Sequence, residues 1–230
     1  DIATRNKVPI LSGGTGFYVQ AALEDMRFPE GEQDDNPLRA HYEALQAQQG
    51  NEALWNLLNE KDPAAAKLIH PNNFKRVIRA LEMHEEGVSY ADQVKNIRSL
   101  PEAVPSIRFF LEVDPFILAE RINARVDMMR EEGLVEEVEA LMARGFEEAL
   151  TAPKAIGYKE IIAYEKGEIT LDEAFRQIKT ATRRYAKRQR SWFRRDGRLI
   201  PLNADDLSVE QMTAIICERY RQESSKSLVR

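Results

Sequence analysis

The chain has a single cysteine, Cys217, which excludes an intramolecular disulfide and any cysteine-rich zinc site and favours a reducing compartment. Histidine is almost as scarce: His41, His70 and His84 are scattered without H-x-x-x-H spacing, so they read as surface or packing residues. No run approaches the ~18 uninterrupted apolar residues of a membrane span, and no charged-then-apolar start resembles a secretory signal. There is no internal repeat, no low-complexity tract and no G-x-x-x-x-G-K-[ST] phosphate loop. What is present is 230 residues with 43% hydrophobic content, enough for a real core in one large or two modest domains.

Charge is distributed unevenly. Between Arg176 and Arg198, ten Lys or Arg residues face one acid, Asp196, a local charge of +9 in a chain whose net charge is −5; the rest therefore carries −14. Concentrated positive charge on an acidic background marks a docking place for a polyanion, because phosphate neutralisation with counterion release rewards local basicity. Phe175, Ile178, Thr182, Tyr185, Gln189 and Trp192 recur at steps of three and four, which on a helix forms one mostly apolar seam. Arg176, Arg183, Arg184, Lys187, Arg190 and Arg194 fall largely on the other side, spread over roughly 27 Å, the scale of a nucleic-acid stem or loop. A merely solvated face would carry acids at i+3 or i+4, and these are almost lacking, so the repulsion calls for an anionic partner.

The order of elements follows from local signals. Asp1 to Lys7 reads as the last turns of a helix ending at Asn6 and Lys7, which leads us to expect further sequence upstream. Val8 to Ser12 is a short apolar run expected to be a buried strand; Gly13, Gly14 and Gly16 then turn the chain into a helix over 17–23. From about residue 30 to 100 only helices are expected. Asn36-Pro37 starts one that Gly50 can close, Leu54, Leu57 and Leu58 belong to the next, and Asp62-Pro63 and Asn72 repeat the start signal. The helix over 73–86 sets Phe74, Val77, Ile78 and Leu81 on one face and Lys75, Arg76 and Arg79 on another. Ile107 to Val113 is a strand, Asp114-Pro115 opens a helix ending near Gly133, and helices near 134–144 and 157–166 precede the basic helix. A strand near Leu199 to Leu202 and a helix from Ser208 to about Arg221 follow. The pattern is α/β: residues 1–29 and 103–230 form the core, and 30–102 form an inserted all-helical subdomain.

Three segments carry candidate chemistry. Gly13, Gly14, Thr15 and Gly16 could cradle a phosphate or diphosphate at a helix start, with the Thr15 hydroxyl as an extra donor, or could simply connect two elements. Lys154, Gly157, Tyr158 and Lys159 combine charge, close backbone approach and a stacking ring, which suits an unpaired nucleotide; a plain loop entering a helix would look the same. Arg121 and Arg125, one turn apart, could clamp a diphosphate or pair with Glu120 or Glu131 on the surface.

Taken in order, Gly13-Gly14-Thr15-Gly16 before an aromatic pair, His70-Pro71-Asn72 leading into Arg76-x-x-Arg79-Ala80-Leu81-Glu82, Ile156-Gly157-Tyr158-Lys159-Glu160, and Arg184-x-Ala186-Lys187-Arg188-Gln189-x-x-Trp192-Phe193-Arg194 resemble the motif series of the bacterial tRNA dimethylallyltransferases. The resemblance runs from Val8 to about Leu202. It implies a parallel-sheet core like that of P-loop NTPases, incomplete at its N-terminal side. It also implies transfer of a dimethylallyl group from dimethylallyl diphosphate to the exocyclic amine of the adenosine 3′ of the anticodon.

Carried over by position, the resemblance puts Thr15 in the reaction channel and Arg121 or Arg125 on the diphosphate, with Arg121 the first choice and Gly13, Gly14 and Gly16 beside them. Arg39, Lys75, Arg76 and Arg79 would touch the tRNA from the helical insertion. Lys154, Gly157, Tyr158 and Lys159, with Arg184, Lys187, Arg188, Gln189, Trp192 and Arg194, would hold the anticodon stem-loop. The family's Walker-type loop and the aspartate that serves as its general base do not occur in these residues, so Mg²⁺ is expected to find its ligands mainly upstream and these residues by themselves to be close to inactive. A monomer in the cytoplasm, without membrane attachment, is expected. Two rivals stay open: a tRNA-binding module without catalysis, and a prenyltransferase acting on free adenine nucleotides.

Overall fold

The computed structural model describes residues 1–26, 36–97 and 100–227. It divides into two compact units, Phe17–Pro105 and, on either side of it in sequence, Asp1–Gly16 with Ser106–Arg230. The sequence reading set the divisions at 29/30 and 102/103.

The Phe17–Pro105 unit is helical. Helix α1 (Gly16–Leu23) leads into it, and the chain after α1 is stitched to the end of the unit: Asp25 donates to Pro101 O, Ala103 to Leu23 O, and Glu24 and Glu102 form an antiparallel bridge. Helix α2 (Pro37–Lys61) starts where a cap predicts, with Asn36 Oδ1 accepting from Leu38 N at 2.9 Å and Pro37 filling a position whose N–H has no helical partner. Gly50, at φ +84°, breaks its regularity, as a glycine in that position can, so the two expected helices abut across a kink. Asp62 caps the short α3 (Pro63–Ala66) through Ala65 N. Helix α4 (Phe74–Glu85) begins one residue later than the start signal read at Asn72. Asn73 is its cap, without a side-chain bond, and Asn72 N instead donates to His70 Nδ1 in the preceding turn. Helix α5 (Tyr90–Ile97) completes the unit. Leu54, Leu58, Ala65, Ile69, Val77, Ile78 and Leu81 form its buried core, so the apolar face read on α4 is the face that packs.

In the other unit, β1 (Arg108–Glu112) pairs in parallel with β2, in the register Arg108↔Leu199 to Glu112↔Asn203. Helix α6 (Pro115–Glu131) follows β1, its first turn capped by Asp114 through Phe116 N and Ile117 N. Then come α7 (Leu134–Met142), α8 (Tyr158–Glu165), α9 (Leu171–Phe193), β2 itself (Leu199–Asn203) and α10 (Val209–Ser227). Val126, Val138, Ile161, Ile162, Phe175 and Ile178 are the core on which α6 to α9 pack. The class is mixed α/β, mostly helical, with a small parallel sheet.

One expected strand is not there. Val8 to Ser12 is irregular, with Ile10 86% and Leu11 57% exposed. An apolar run becomes a strand only by pairing with a neighbour, and the sheet among the described residues pairs β1 with β2 alone. Asn6, at φ +53°, does end a short 3₁₀ turn over Ala3–Arg5, a position asparagine tolerates. Among the described residues no helix is long and apolar enough to cross a membrane.

Candidate functional site

Helix α9 organises the site, and its seam does three different jobs along its length. Phe175 and Ile178 are buried in the core. Thr182 and Tyr185 line a cleft. Gln189 and Trp192 meet the glycine turn, with Gln189 Nε2 donating to Gly14 O at 2.9 Å. A Cβ on Gly14 would lie 2.1 Å from Gln189 Nε2, and one on Gly16 would lie 2.0 Å from Trp192 Cδ1. Neither glycine has a positive φ. What the turn requires at these two positions is therefore the absence of a side chain where a helix comes close. Gly13 has nothing within 4 Å of where its Cβ would be. Between the two packed glycines, Thr15 Oγ1 is 3.5 Å from Tyr185 Oη.

The cleft has a volume of about 680 Å³ and an apolar floor of Ile122, Val126, Met129, Ile156 and Ile178. Three cations stand around it: Arg121 and Arg125, one helical turn apart on α6, and Lys154 from the loop before α8. Arg121 Nη2 donates to Asp205 Oδ1 at 3.2 Å and Arg125 Nη1 to Glu132 Oε2 at 2.9 Å. The neighbours Glu120 and Glu131, which spacing alone suggests, are not the partners. The Arg125–Glu132 pair is largely exposed, so a diphosphate can displace that carboxylate at little cost, whereas the Asp205 side chain is 17% exposed and also accepts from Asp114 N at 2.6 Å. Lys154 and Tyr185 are the members of this cleft that sequence reasoning assigned elsewhere or passed over. The signal for Tyr185 was its place on the seam one turn before Gln189.

The cations of α9 fall into two groups. Arg176 pairs with Glu173, Lys179 with Asp127 at 2.6 Å, Arg194 with Glu112 at 3.1 Å, and Arg183 donates to Asn123 at 2.6 Å. The expectation that these charges go uncompensated is thus corrected for both ends of the helix: the acids come from α6 and β1, or from one turn earlier on α9. No carboxylate partner is found among the described residues for Arg184, Lys187, Arg190 or Arg195, and Arg188 lies over the Tyr185 ring at 5.7 Å. The uncompensated charge is a compact patch in the C-terminal half of α9.

Around Gly157 the backbone has φ +102°, and buried Glu160 reaches back to the start of α8, accepting from Gly157 N at 2.8 Å. Tyr158 packs edge-on against Phe146 and donates to Glu137 Oε1 at 2.6 Å; that bond, with some burial, holds its phenol above the usual range. Lys159 lies 3.3 Å from Glu160 Oε1. In the helical unit, Lys75 and Arg76 are exposed on α4, whereas Arg39 and Arg79 both bond buried Glu82. Among the described residues no group of three or more His, Cys, Asp or Glu could hold a metal ion.

The chain is similar to known proteins over most of its length. A tRNA dimethylallyltransferase of Thermoanaerobacter sp. (strain X514) is 44% identical over 197 residues, 84% of this chain and 62% of that protein. The crystal structure of a tRNA delta(2)-isopentenylpyrophosphate transferase from Staphylococcus epidermidis superposes with TM-score 0.63 at 34% identity, covering 97% of this chain and 72% of that one. A eukaryotic dimethylallyltransferase acting on tRNA superposes with TM-score 0.69 at 25% identity, covering 97% and 59%. The chain thus spans about three-fifths of the length of the Thermoanaerobacter relative. The profile of one family, described as IPP transferase, matches residues 1–196, and the chain belongs to that family.

Proposed function

We propose that this protein transfers a dimethylallyl group from dimethylallyl diphosphate to the exocyclic amine of the adenosine 3′ of the anticodon in tRNA, in the cytoplasm. The observation that carries the reading is one cleft with an apolar floor and the cations Arg121, Arg125 and Lys154, on the same packed unit as the bare basic patch of α9. A five-carbon allylic chain matches the floor and a diphosphate matches the cations. Family membership supports the same donor and acceptor.

In this reading the adenine amine attacks the allylic carbon, the bond from that carbon to the diphosphate oxygen breaks with its electron pair leaving on the diphosphate, and the nitrogen passes one proton to a carboxylate base of the kind the family resemblance implies. Arg121 and Arg125 neutralise charge as it develops on the leaving group, and Thr15 with the turn around Gly13, Gly14 and Gly16 adds donors at the same end. Adenine must leave its stack to be reached, at a cost of a few kcal/mol that RNA contacts offset. Arg184, Lys187 and Arg188 supply those contacts from α9, and the exposed Lys75 and Arg76 from the helical unit, which serves as the tRNA-contacting insertion.

The test is to incubate the full-length protein with dimethylallyl diphosphate and an anticodon stem-loop. The expected result is a stem-loop heavier by one dimethylallyl unit. Retention of the stem-loop with no transfer would replace this reading with a binding module, and transfer to AMP regardless of RNA would replace it with an adenylate prenyltransferase.

A further inference from the structure

The three seam residues Tyr185, Gln189 and Trp192 sit at i, i+4 and i+7 on α9, on one face of the helix, and meet three consecutive residues of the turn. Gln189 holds Gly14 by a hydrogen bond and Trp192 lies against Gly16, so the backbone is fixed on both sides of Thr15. What remains free is the Thr15 side chain. A β-branched threonine has few χ1 choices, and one hydroxyl partner is enough to select among them. Tyr185 supplies that partner, its hydroxyl 3.5 Å from Thr15 Oγ1, and the same side chain lines the cleft with Arg121 and Arg125. A contact of that length in the free protein is long for a hydroxyl pair, and such bonds tighten when a substrate binds.

We infer that Tyr185 is a positioning residue: its hydroxyl sets the rotamer of Thr15 so that the Thr15 hydroxyl faces the leaving-group end of the arginine cleft. The inference rests on the dimethylallyl-transfer reading for its chemistry and on geometry alone for the Tyr185–Thr15 pair. Arg188, stacked over the Tyr185 ring, is one of the residues assigned to the RNA, so the aromatic ring stands between the RNA grip and the reacting end. The competing role is a ring that only fills the seam. Tyr185→Phe separates the two, because it keeps the ring, its packing and the Arg188 stack and removes the hydroxyl alone.

Two readouts in the full-length protein decide it. Three-bond couplings of the Thr15 methyl report χ1 directly, without activity; a single rotamer is expected in the wild type and averaging in Tyr185→Phe. In transfer assays Tyr185→Phe lowers kcat by about three- to tenfold, the scale of one neutral hydrogen bond, with the KM for donor and the affinity for stem-loop unchanged. Thr15→Ala combined with Tyr185→Phe is then no slower than Thr15→Ala alone. An unchanged Thr15 rotamer in Tyr185→Phe, or a double variant slowed by the product of the two single effects, overturns the inference. Should the rotamer respond while the wild type transfers nothing, the transfer reading falls and the Tyr185–Thr15 pair stands.

Discussion

Arg39 grips the carboxylate of Glu82 with two bonds, Nε to Oε1 at 2.7 Å and Nη2 to Oε2 at 3.0 Å, although Glu82 is only 1% exposed and lies 43 residues away. Arg79 Nη1 adds a third bond to Oε2 at 3.2 Å. A carboxylate taken out of water needs such partners, and these tie α2 to α4 inside the helical unit. One turn further along both helices, Glu85 accepts from the Tyr42 hydroxyl at 3.3 Å, and Lys61, at the far end of α2, donates to the same carboxylate at 2.7 Å, a second and more exposed tie.

Arg39→Ala therefore leaves a buried charge with half its compensation. The expected loss is about 2–4 kcal/mol of unfolding free energy, below the full cost of an orphaned buried ion because Arg79 remains. Arg39→Lys keeps the charge, loses the two-pronged geometry and costs less. Denaturant unfolding checks both. An unshifted midpoint in Arg39→Ala with weakened stem-loop binding would assign Arg39 to the RNA instead of to the fold.

A pH dependence follows from Asp196. Burial alone would raise its carboxyl, but hydrogen bonds and charge from Arg198, with Arg108, outweigh that and hold it below its ordinary value of 3.8. A group depressed on folding stabilises the fold above its unfolded value, and that contribution is lost as pH falls through the folded one. Asp196→Asn is expected to be less stable than wild type at neutral pH, where buried Arg108 loses its ion pair with Asp196. The gap should close as pH drops below 3.8. Parallel melting curves at pH 7 and pH 3 test this, and a gap that stays constant would exclude it.

How much of this was legible in the sequence depends on the distance over which each feature is determined. Asn36-Pro37, Asp62-Pro63 and Asp114-Pro115 mark three helix starts because a cap acts within one turn. The seam of α9 was legible for the same reason, as was the patch at Arg184 and Lys187. The strand expected at Val8 to Ser12 was misread because pairing is settled by a neighbour elsewhere in the chain. The neutralised ends of α9 depend on Glu112, 82 residues from Arg194, and the reason for glycine at position 14 is a glutamine 175 residues away. Neither leaves a local trace. Lys154 likewise enters the cleft through the packing of its loop beside α6 and α9.

The division of α9 into compensated and bare cations predicts a graded response to RNA. Arg184→Ala, Lys187→Ala and Arg190→Ala should each weaken stem-loop binding and flatten its dependence on log salt by roughly 0.7–0.9 per lost phosphate contact. Lys179→Ala, whose ammonium is paired with Asp127, should leave both almost unchanged. Equal effects in the two sets would mean that the helix acts through total charge and not through the patch.

The three glycines of the turn separate packing from ligand binding. Gly16→Ala puts a methyl group into the Trp192 ring, which is stiff but 41% exposed and can swing out, so the expected signs are a red-shifted indole emission and a destabilised protein. Gly14→Ala meets only the tip of the Gln189 side chain; the amide can withdraw at the loss of one hydrogen bond, about 1 kcal/mol. Gly13→Ala meets nothing within 4 Å and should melt like the wild type. If Gly13 is bare because the diphosphate comes close to its backbone, Gly13→Ala raises the KM for donor with no change in stability, whereas Gly14→Ala and Gly16→Ala change both. An unaltered donor KM in Gly13→Ala would leave the turn as a seat for α9, with the diphosphate held by the arginines of the cleft.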